Sequence, residues 1–393
     1  MFRKKTVRDV DVTQRRVLVR VDFNVPIRDG RVEDDTRIRA TLPTLTYLLA
    51  RDAALVLASH LGRPKGKPDP AFSLRPVVEP LAALLGRDVL FAHDPAGPDA
   101  QAKAARLQPG QVLLLENTRF DPGETRNDPE FARRLASLGE LFVNDAFGTA
   151  HRIHASTVGV ARYLPAVAGF LLEREVTIIT QALERPTRPL MAILGGAKIS
   201  DKIKVLHNLL GRADRLLIGG GMANTFLAAQ GFALGSSLVE REAFETALSL
   251  LDTFGEKIVL PTDLVIADRA APDANVRVVA VTEGVPEGWM ALDIGPSTVE
   301  TFARHLREAG TIIWNGPLGM FEVEPFAAGT MAIARVLAES PAFTLVGGGD
   351  SVAAVKKAGV ADRMGHISTG GGATLKLLAG EPLPAVEVLE DRT

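Results

Sequence analysis

Residues Pro189 to Leu210 read PLMAILGGAKISDKIKVLHNLL. The apolar run Leu190–Leu194 has the length of a buried strand, and it stops at a glycine pair, Gly195 and Gly196, before a helical stretch begins. An apolar strand, a glycine turn and a helix form the repeating unit of a parallel α/β sheet. Lys198 and Lys202 stand in the first turns of the expected helix, four residues apart and therefore on one face. Like charges so placed repel, and cations at a helix N-terminus oppose the macrodipole. A solvated lysine face is one reading of the pair; a bound anion is the other.

Short apolar runs alternate with helical stretches from one end of the chain to the other, which predicts α/β architecture with mainly parallel sheets. The 393 residues exceed a typical single core. The expected fold is therefore two doubly wound, Rossmann-like parallel-sheet domains joined by a long helix, with the substrate cleft between them. GFLLEREVTIITQALERP, Gly169 to Pro186, supplies that helix, ended by Pro186. The expected boundaries are a first domain over 1–170, a connecting helix over 171–186, a second domain over 187–372 and a terminal segment, 373–393, returning to the first domain.

A formal net charge of −2 argues against a polybasic nucleic-acid binder, and the absence of cysteine excludes disulfides, thiolate catalysis and cysteine-ligated metals. The first residues reach a strand pattern without the continuous apolar segment of a signal peptide, and no later run is long enough to span a bilayer. A soluble, cytoplasmic protein is expected, with no nucleic-acid or membrane partner.

In parallel α/β sheets ligands gather beyond the carboxyl ends of the strands, and here the two halves differ. RVLVRV is followed by Asp22, Phe23 and Asn24, with Arg37 downstream; ALVLAS by His60, Leu61, Gly62 and Arg63. VLLL leads to Glu116, Asn117 and Arg119, and LFV to Asn144, Asp145, His151 and Arg152. Single arginines are ordinarily surface residues, but cations recurring at one topological place point to a small anion carrying carboxylate and phosphate. In the second half MAILGGAK, LLIGGGMANTF, TLVGGGDSVAAV and HISTGGGATLKLL each set glycines between a strand and a helix start. Glycine lets the backbone approach a ligand, and helix N-termini favour phosphate, so a polyphosphate nucleotide is the leading ligand. Neither the P-loop pattern nor the dinucleotide fingerprint is present.

Over essentially its whole length the chain resembles the phosphoglycerate kinase family, in the motifs VRVDFNVP, DDTRIRATLPT, HLGRP, LLLENTRF, FVNDAFGTAHRIHAS, LGGAKISDKI, GGGMANTF, IIWNGPLGMFE, GGGDS and STGGGATL. The resemblance implies reversible phosphoryl transfer between 1,3-bisphosphoglycerate with ADP and 3-phosphoglycerate with ATP, using Mg²⁺ as MgATP or MgADP, by a monomer. It implies that Asp22, Phe23, Asn24, Arg37, His60, Leu61, Gly62, Arg63, Arg119 and Arg152 bind the acid. On the nucleotide side it implies Lys202, Ala291, Asn315, Glu322, Gly348, Gly349, Asp350 and Ser351, with Asp350 organising the metal and Glu322 accepting from the ribose. Arg37, Lys198 and Lys202 are implied at the migrating phosphoryl group, and Gly370, Gly371 and Gly372 at a phosphate-stabilising helix start. No general base is needed, because a carboxylate with a pKa of about 4 is already ionised at neutral pH. His60 and His151 are then positioning residues, and His154 and His366 structural ones.

Ala291 and Ser351 stand where the family commonly has glycine and threonine; alanine is expected to narrow the adenine pocket, and serine keeps the hydroxyl. An NAD-dependent dehydrogenase lacks its fingerprint here. A non-catalytic sensor on the same fold predicts loss of Arg37, Lys202 or Asp350, and all three are present.

Overall fold

The structure, a computed structural model, describes residues 2–392. It divides into two compact units, residues 1–177 with 382–393, and residues 178–381.

The first unit begins with β1 (Arg16–Arg20), the short hairpin β2 (Ile27–Arg28) and β3 (Arg31–Val32), α1 (Thr36–Leu49) and β4 (Ala54–Ala58). It continues through α2 (Val78–Leu85), β5 (Val89–Phe91), α3 (Pro98–Ala105), β6 (Val112–Leu114), α4 (Pro129–Ala136), β7 (Leu141–Asn144) and β8 (Ala166–Ala168). The six longer-range strands form one parallel sheet in the order β5-β6-β4-β1-β7-β8. Leu18 lies beside Val56 on one side and Phe142 on the other. β4 and β7 are wholly buried, which is why their sequences read as unbroken apolar runs rather than alternations. The order turns back between β1 and β7, so the first unit's crevice opens beyond Arg20 and Asn144.

The chain leaves this unit within α5 (Phe170–Glu184). Its first turn is capped from the strand end: Asp145 Oδ1 accepts from the amides of Leu171 at 2.9 Å and Leu172 at 3.2 Å. Asp145 is fully buried, and burial pushes its carboxyl up to about 6. The strand-end position that reads as part of an anion site is thus spent on fastening a helix.

The second unit runs β9 (Leu190–Leu194), α6 (Ile203–Leu210), β10 (Arg215–Ile218), α7 (Gly220–Ala229), α8 (Phe244–Phe254) and β11 (Ile258–Val259). Next come β12 (Asp263–Ala267), β13 (Val276–Ala280), β14 (Met290–Ile294), α9 (Pro296–Arg307), β15 (Thr311–Asn315), α10 (Ala328–Glu339), β16 (Phe343–Gly347), α11 (Gly349–Lys357), β17 (His366–Ile367) and α12 (Gly371–Leu378). Its parallel sheet is ordered β11-β10-β9-β15-β16-β17, with the reversal between β9 and β15. A separate antiparallel sheet, β13-β12-β14, was not expected from the periodicity; on β13 three of five residues are exposed, among them Val276 and Val278, so hydropathy alone does not mark which face is inside.

The second unit extends to Glu381, beyond the boundary at 372 drawn from the sequence, because α12 buries Ala373, Thr374 and Leu378 and Asn208 of α6 donates to the Leu378 carbonyl at 2.7 Å. Only residues 382–393 rejoin the first unit, through α13 (Pro384–Glu387), the Ala385 amide on the Ala150 carbonyl, and the ion pairs Lys5–Glu390 and Arg392–Asp9. Among the described residues no helix is long and apolar enough to cross a membrane.

Candidate active site

In the first unit the residues after β1, β4 and β6 are tied to one another before any ligand is considered. Asn24 Oδ1 accepts from the Gly62 amide at 2.9 Å, joining the first loop to the second. Asn117 donates to the carbonyls of Leu61 (2.7 Å) and Phe72 (2.9 Å) and accepts from the Arg119 amide (3.0 Å), joining the second loop to the third. Glu116 accepts from Ser73 Oγ at 2.6 Å and from the Leu74 and Asn117 amides, so this acid at a strand end stiffens the loop that carries Arg119.

On that frame Arg63, Arg119 and Arg152 line one cavity of about 550 Å³, with Lys65, Arg126 and His154. Arg119 commits one donor to the Gly62 carbonyl at 2.8 Å, while its buried Nε has no partner among the described residues. Burial, with Arg20, Arg152 and Arg63 nearby, lowers its pKa to about 10, and His154 is pushed down to about 4 by burial and by Arg119, Arg20 and Arg152. Such mutual repulsion is what an anion relieves.

Arg37 stands apart from this cavity on α1. Its Nη1 is held by both Asp22 oxygens at 3.3 Å and by the Asn24 carbonyl at 3.1 Å, leaving Nη2 and Nε without a partner among the described residues. Asp22 therefore orients an arginine. His60 is 4% exposed, and burial together with Arg20, Arg119 and Arg37 holds its pKa well below the usual imidazole range. Phe23 and Leu61, expected among the acid-binding residues, offer no side chain to a polar ligand: both lie in the first unit's hydrophobic core at 0% and 5% exposure. Their place in the motif is a packing role that holds the loop backbone, with the Phe23 amide donating to Ser59 Oγ at 2.8 Å.

In the second unit the glycine loops after β9, β10, β15 and β16 converge. A β-carbon on Gly195 would sit 1.8 Å from the Pro317 carbonyl oxygen, so the two loops at the sheet reversal touch only because that position is glycine. Into this junction Lys202 inserts its ammonium, donating to the carbonyls of Gly195 at 2.7 Å and Asn315 at 3.3 Å. Burial lowers it to about 8, opposed by Asp350 and Asp201. Lys198 and Lys202 do not share a helical face. Lys198 lies exposed in the glycine loop, whose Gly196 has φ +127°, whereas Lys202 ends a 3-10 turn, and α6 starts at Ile203.

A cavity of about 320 Å³ opens beside these loops, lined by Gly196, Leu238, Ala291, Met320, Glu322 and Asp350, with buried Asp293 also at its wall. Ala291 lies in β14 with its amide on Ser237 Oγ at 2.8 Å, so its methyl sits in ordinary strand backbone. Asn315 and Ser351 work beneath the cavity: Asn315 Nδ2 donates to the Gly347 carbonyl at 2.9 Å, and Ser351 Oγ, fully buried, accepts the Gly316 amide at 2.6 Å. The hydroxyl kept by serine thus clamps two glycine loops together. The N-termini of α7, α11 and α12 begin at Gly220, Gly349 and Gly371 respectively, after Gly348 and Gly370 in the latter two cases, and a β-carbon on Gly371 would come 3.9 Å from the Gly349 amide nitrogen. Amides at paired helix starts form a cradle for phosphate.

For a divalent cation the donor set is one exposed carboxylate, Asp350, in the first turn of α11; among the described residues no group of three acidic or histidine side chains could enclose a metal. This fits Mg²⁺, which keeps several waters and takes one or two carboxylates plus phosphate oxygens.

Sequence reasoning missed Arg20, Glu124 and Ser156, which lie buried together behind His60, and Asp293. The only signal for Arg20 was a charge inside the run RVLVRV.

The model of the phosphoglycerate kinase family matches residues 7–381. The chain is 59% identical over 397 residues to phosphoglycerate kinase of Chloroflexus aurantiacus, covering 99% of each. It is 60% identical over 393 residues to that of Desulforudis audaxviator, covering 99% of this chain and 100% of the relative. The structure superposes on phosphoglycerate kinase of Coxiella burnetii with a TM-score of 0.88 at 41% identity, covering 98% and 99% of the two chains, and on that of Pyrococcus horikoshii with 0.85 at 35%, covering 99% and 98%. Matching over residues 7–381 in family model and over 98–99% of its length in sequence and structure, this chain belongs to the phosphoglycerate kinase family.

Proposed function

We propose that the first unit binds 3-phosphoglycerate or 1,3-bisphosphoglycerate, that the second binds MgATP or MgADP, and that the chain moves a phosphoryl group reversibly between them. From the ATP side, an oxygen of the acid's carboxylate forms a bond to the terminal phosphorus as the bond from that phosphorus to the bridging oxygen of ADP breaks. The electron pair leaves with ADP, and no proton has to be removed from the nucleophile. The chain's work is therefore alignment and charge stabilisation.

Arg63, Arg119 and Arg152 hold the acid's phosphate, a group unchanged by the reaction. Arg37, with two nitrogens free and its orientation set by Asp22, faces the migrating group; Lys202 does so from the nucleotide side, and Lys198 adds an exposed cation. Glycine loops and helix starts hold the polyphosphate, and Glu322 receives the ribose. When bound through Asp350, Mg²⁺ neutralises charge on the phosphate oxygens. Small molecules are the partners in this reading, and the cytoplasm is the compartment.

The observation that carries the division is that three arginines share one cavity while Arg37 stands outside it with uncommitted donors. Steady-state kinetics with each substrate varied test it. Arg119→Ala is expected chiefly to raise KM for 3-phosphoglycerate, and Arg37→Ala to lower kcat about 10²-fold, the scale of one lost transition-state donor. Arg37→Lys recovers part of that loss, since an ammonium keeps the charge but not the fork. The reverse pattern, KM for Arg37 and kcat for Arg119, refutes the division.

A further inference from the structure

Arg20 is wholly buried at the carboxyl end of β1, with no exposed surface and no direct carboxylate partner among the described residues. Its hydrogen bonds run from Nη1 to the Val21 carbonyl, from Nε to Ser156 Oγ at 2.8 Å, and from Nη2 to His60 Nδ1 at 3.3 Å. A guanidinium has donors and no acceptor, so the direction of every bond around it is fixed. Ser156 Oγ, accepting from Arg20, must give its own proton away, and it does so to Glu124 Oε1 at 2.5 Å. Glu124, also without exposed surface, accepts in addition the Ser156 amide at 3.0 Å and Thr118 Oγ1 at 3.3 Å. The buried carboxylate and the buried guanidinium thus balance each other across one hydroxyl.

At the other end of the chain of bonds, His60 Nδ1 can only accept. A proton on that nitrogen would set two donors against each other at 3.3 Å. We infer that Arg20 is a positioning residue that fixes His60 as the neutral tautomer protonated at Nε2, so that the ring meets the anionic acid as a hydrogen-bond donor without carrying charge. The opposite tautomer would turn a lone pair toward the acid. The imidazolium is disfavoured by burial and by Arg20, Arg119 and Arg37, which already crowd the ring. Arg20 therefore converts a histidine that cannot carry a positive charge there into a donor, and Glu124 and Ser156 hold Arg20 in place.

The inference rests on the proposed function, with His60 at the acid site as the family resemblance implies, but the tautomer itself is read in the free protein. Long-range ¹⁵N–¹H correlation spectra of the full-length, uniformly labelled chain at neutral pH, with His60 assigned by the pattern lost in His60→Gln, are expected to show protonated Nε2 and unprotonated Nδ1. A protonated Nδ1, in the neutral ring or the imidazolium, overturns the inference. Arg20→Met together with Glu124→Gln removes both buried charges at once, which avoids stranding either. In that double variant both tautomers are expected, with KM for 3-phosphoglycerate raised about tenfold, the scale of one hydrogen bond to a charged acceptor. Retention of the pure Nε2–H form there shows that Arg20 does not set it, and overturns the inference even if the wild-type spectrum is as expected. Failure of the acid-site assignment shows separately, as wild-type His60 signals unmoved by saturating 3-phosphoglycerate.

Discussion

Replacing Asp293 by Asn should reshape how the second unit's stability depends on pH. Asp293 lies near the end of β14 at 4% exposure, its Oδ1 accepting the Ile294 amide at 2.9 Å and its Oδ2 the Gly329 amide at 2.7 Å, which caps the first turn of α10. Burial raises its carboxyl from 3.8 to about 7, and the two amides oppose the rise without cancelling it. The unfolded chain releases this proton near pH 3.8 while the folded chain keeps it, so stability falls as pH climbs from 3.8 to about 7 and is level above. At about 1.4 kcal/mol per pH unit the accumulated loss is about 4 kcal/mol. Asn cannot ionise, so it removes this loss, but it offers one acceptor oxygen to two converging amides and strands one of them at a cost of about 1–3 kcal/mol. Asp293→Asn is therefore expected to be less stable than wild type near pH 4.5 and more stable, by about 1–3 kcal/mol, above pH 7. Both tryptophans, Trp289 and Trp314, lie in the second unit, so urea unfolding followed by tryptophan fluorescence at a series of pH values reports on the right structure. A constant offset between the two proteins from pH 4.5 to 8.5 refutes the buried ionisation.

Asp350→Asn keeps the size of the side chain and removes its charge; the Mg²⁺ concentration for half-maximal rate and KM for the nucleotide should rise about tenfold or more with KM for 3-phosphoglycerate unchanged, and equal weakening of both substrates counts against Asp350 as the metal's carboxylate. Gly195→Ala places a methyl 1.8 Å from the Pro317 carbonyl oxygen, a backbone atom, so calorimetry should show MgADP affinity lost while 3-phosphoglycerate binding to the first unit persists. Wild-type nucleotide affinity in that variant means the loops do not need their close approach.

Much of the site was legible because it is local. β9, β1 and β4 are short buried runs, and the loop after each is dictated by its own few residues: glycine where a backbone must pass close, arginine where a loop must carry charge. Those positions reach the carboxyl edge of a sheet whatever the rest of the chain does. Less was legible where side-chain direction mattered. Phe23 and Leu61 sit among polar motif residues yet point into the core, and Lys198 and Lys202, four apart, do not share a face because Lys198 still lies in the glycine loop and a 3-10 turn, Ser200–Lys202, comes before the helix starts at Ile203. Asn315 and Ser351 keep their motif positions but commit their polar atoms to neighbouring loops.

By itself the sequence determined the alternation of strands and helices, the charge character of each set of strand ends, and the family. Those depend on periodicity and residue type, which near neighbours set. The tertiary structure alone decided which charged groups face each other. Arg20 meets His60 across 40 residues and Ser156 across 136, and Ser156 meets Glu124 across 32. Desolvation then sets what those groups can do: a carboxylate and a guanidinium survive without water only as a balanced pair, and a histidine among arginines stays neutral. Burial is a property of the whole packed chain, and no window of sequence contains it.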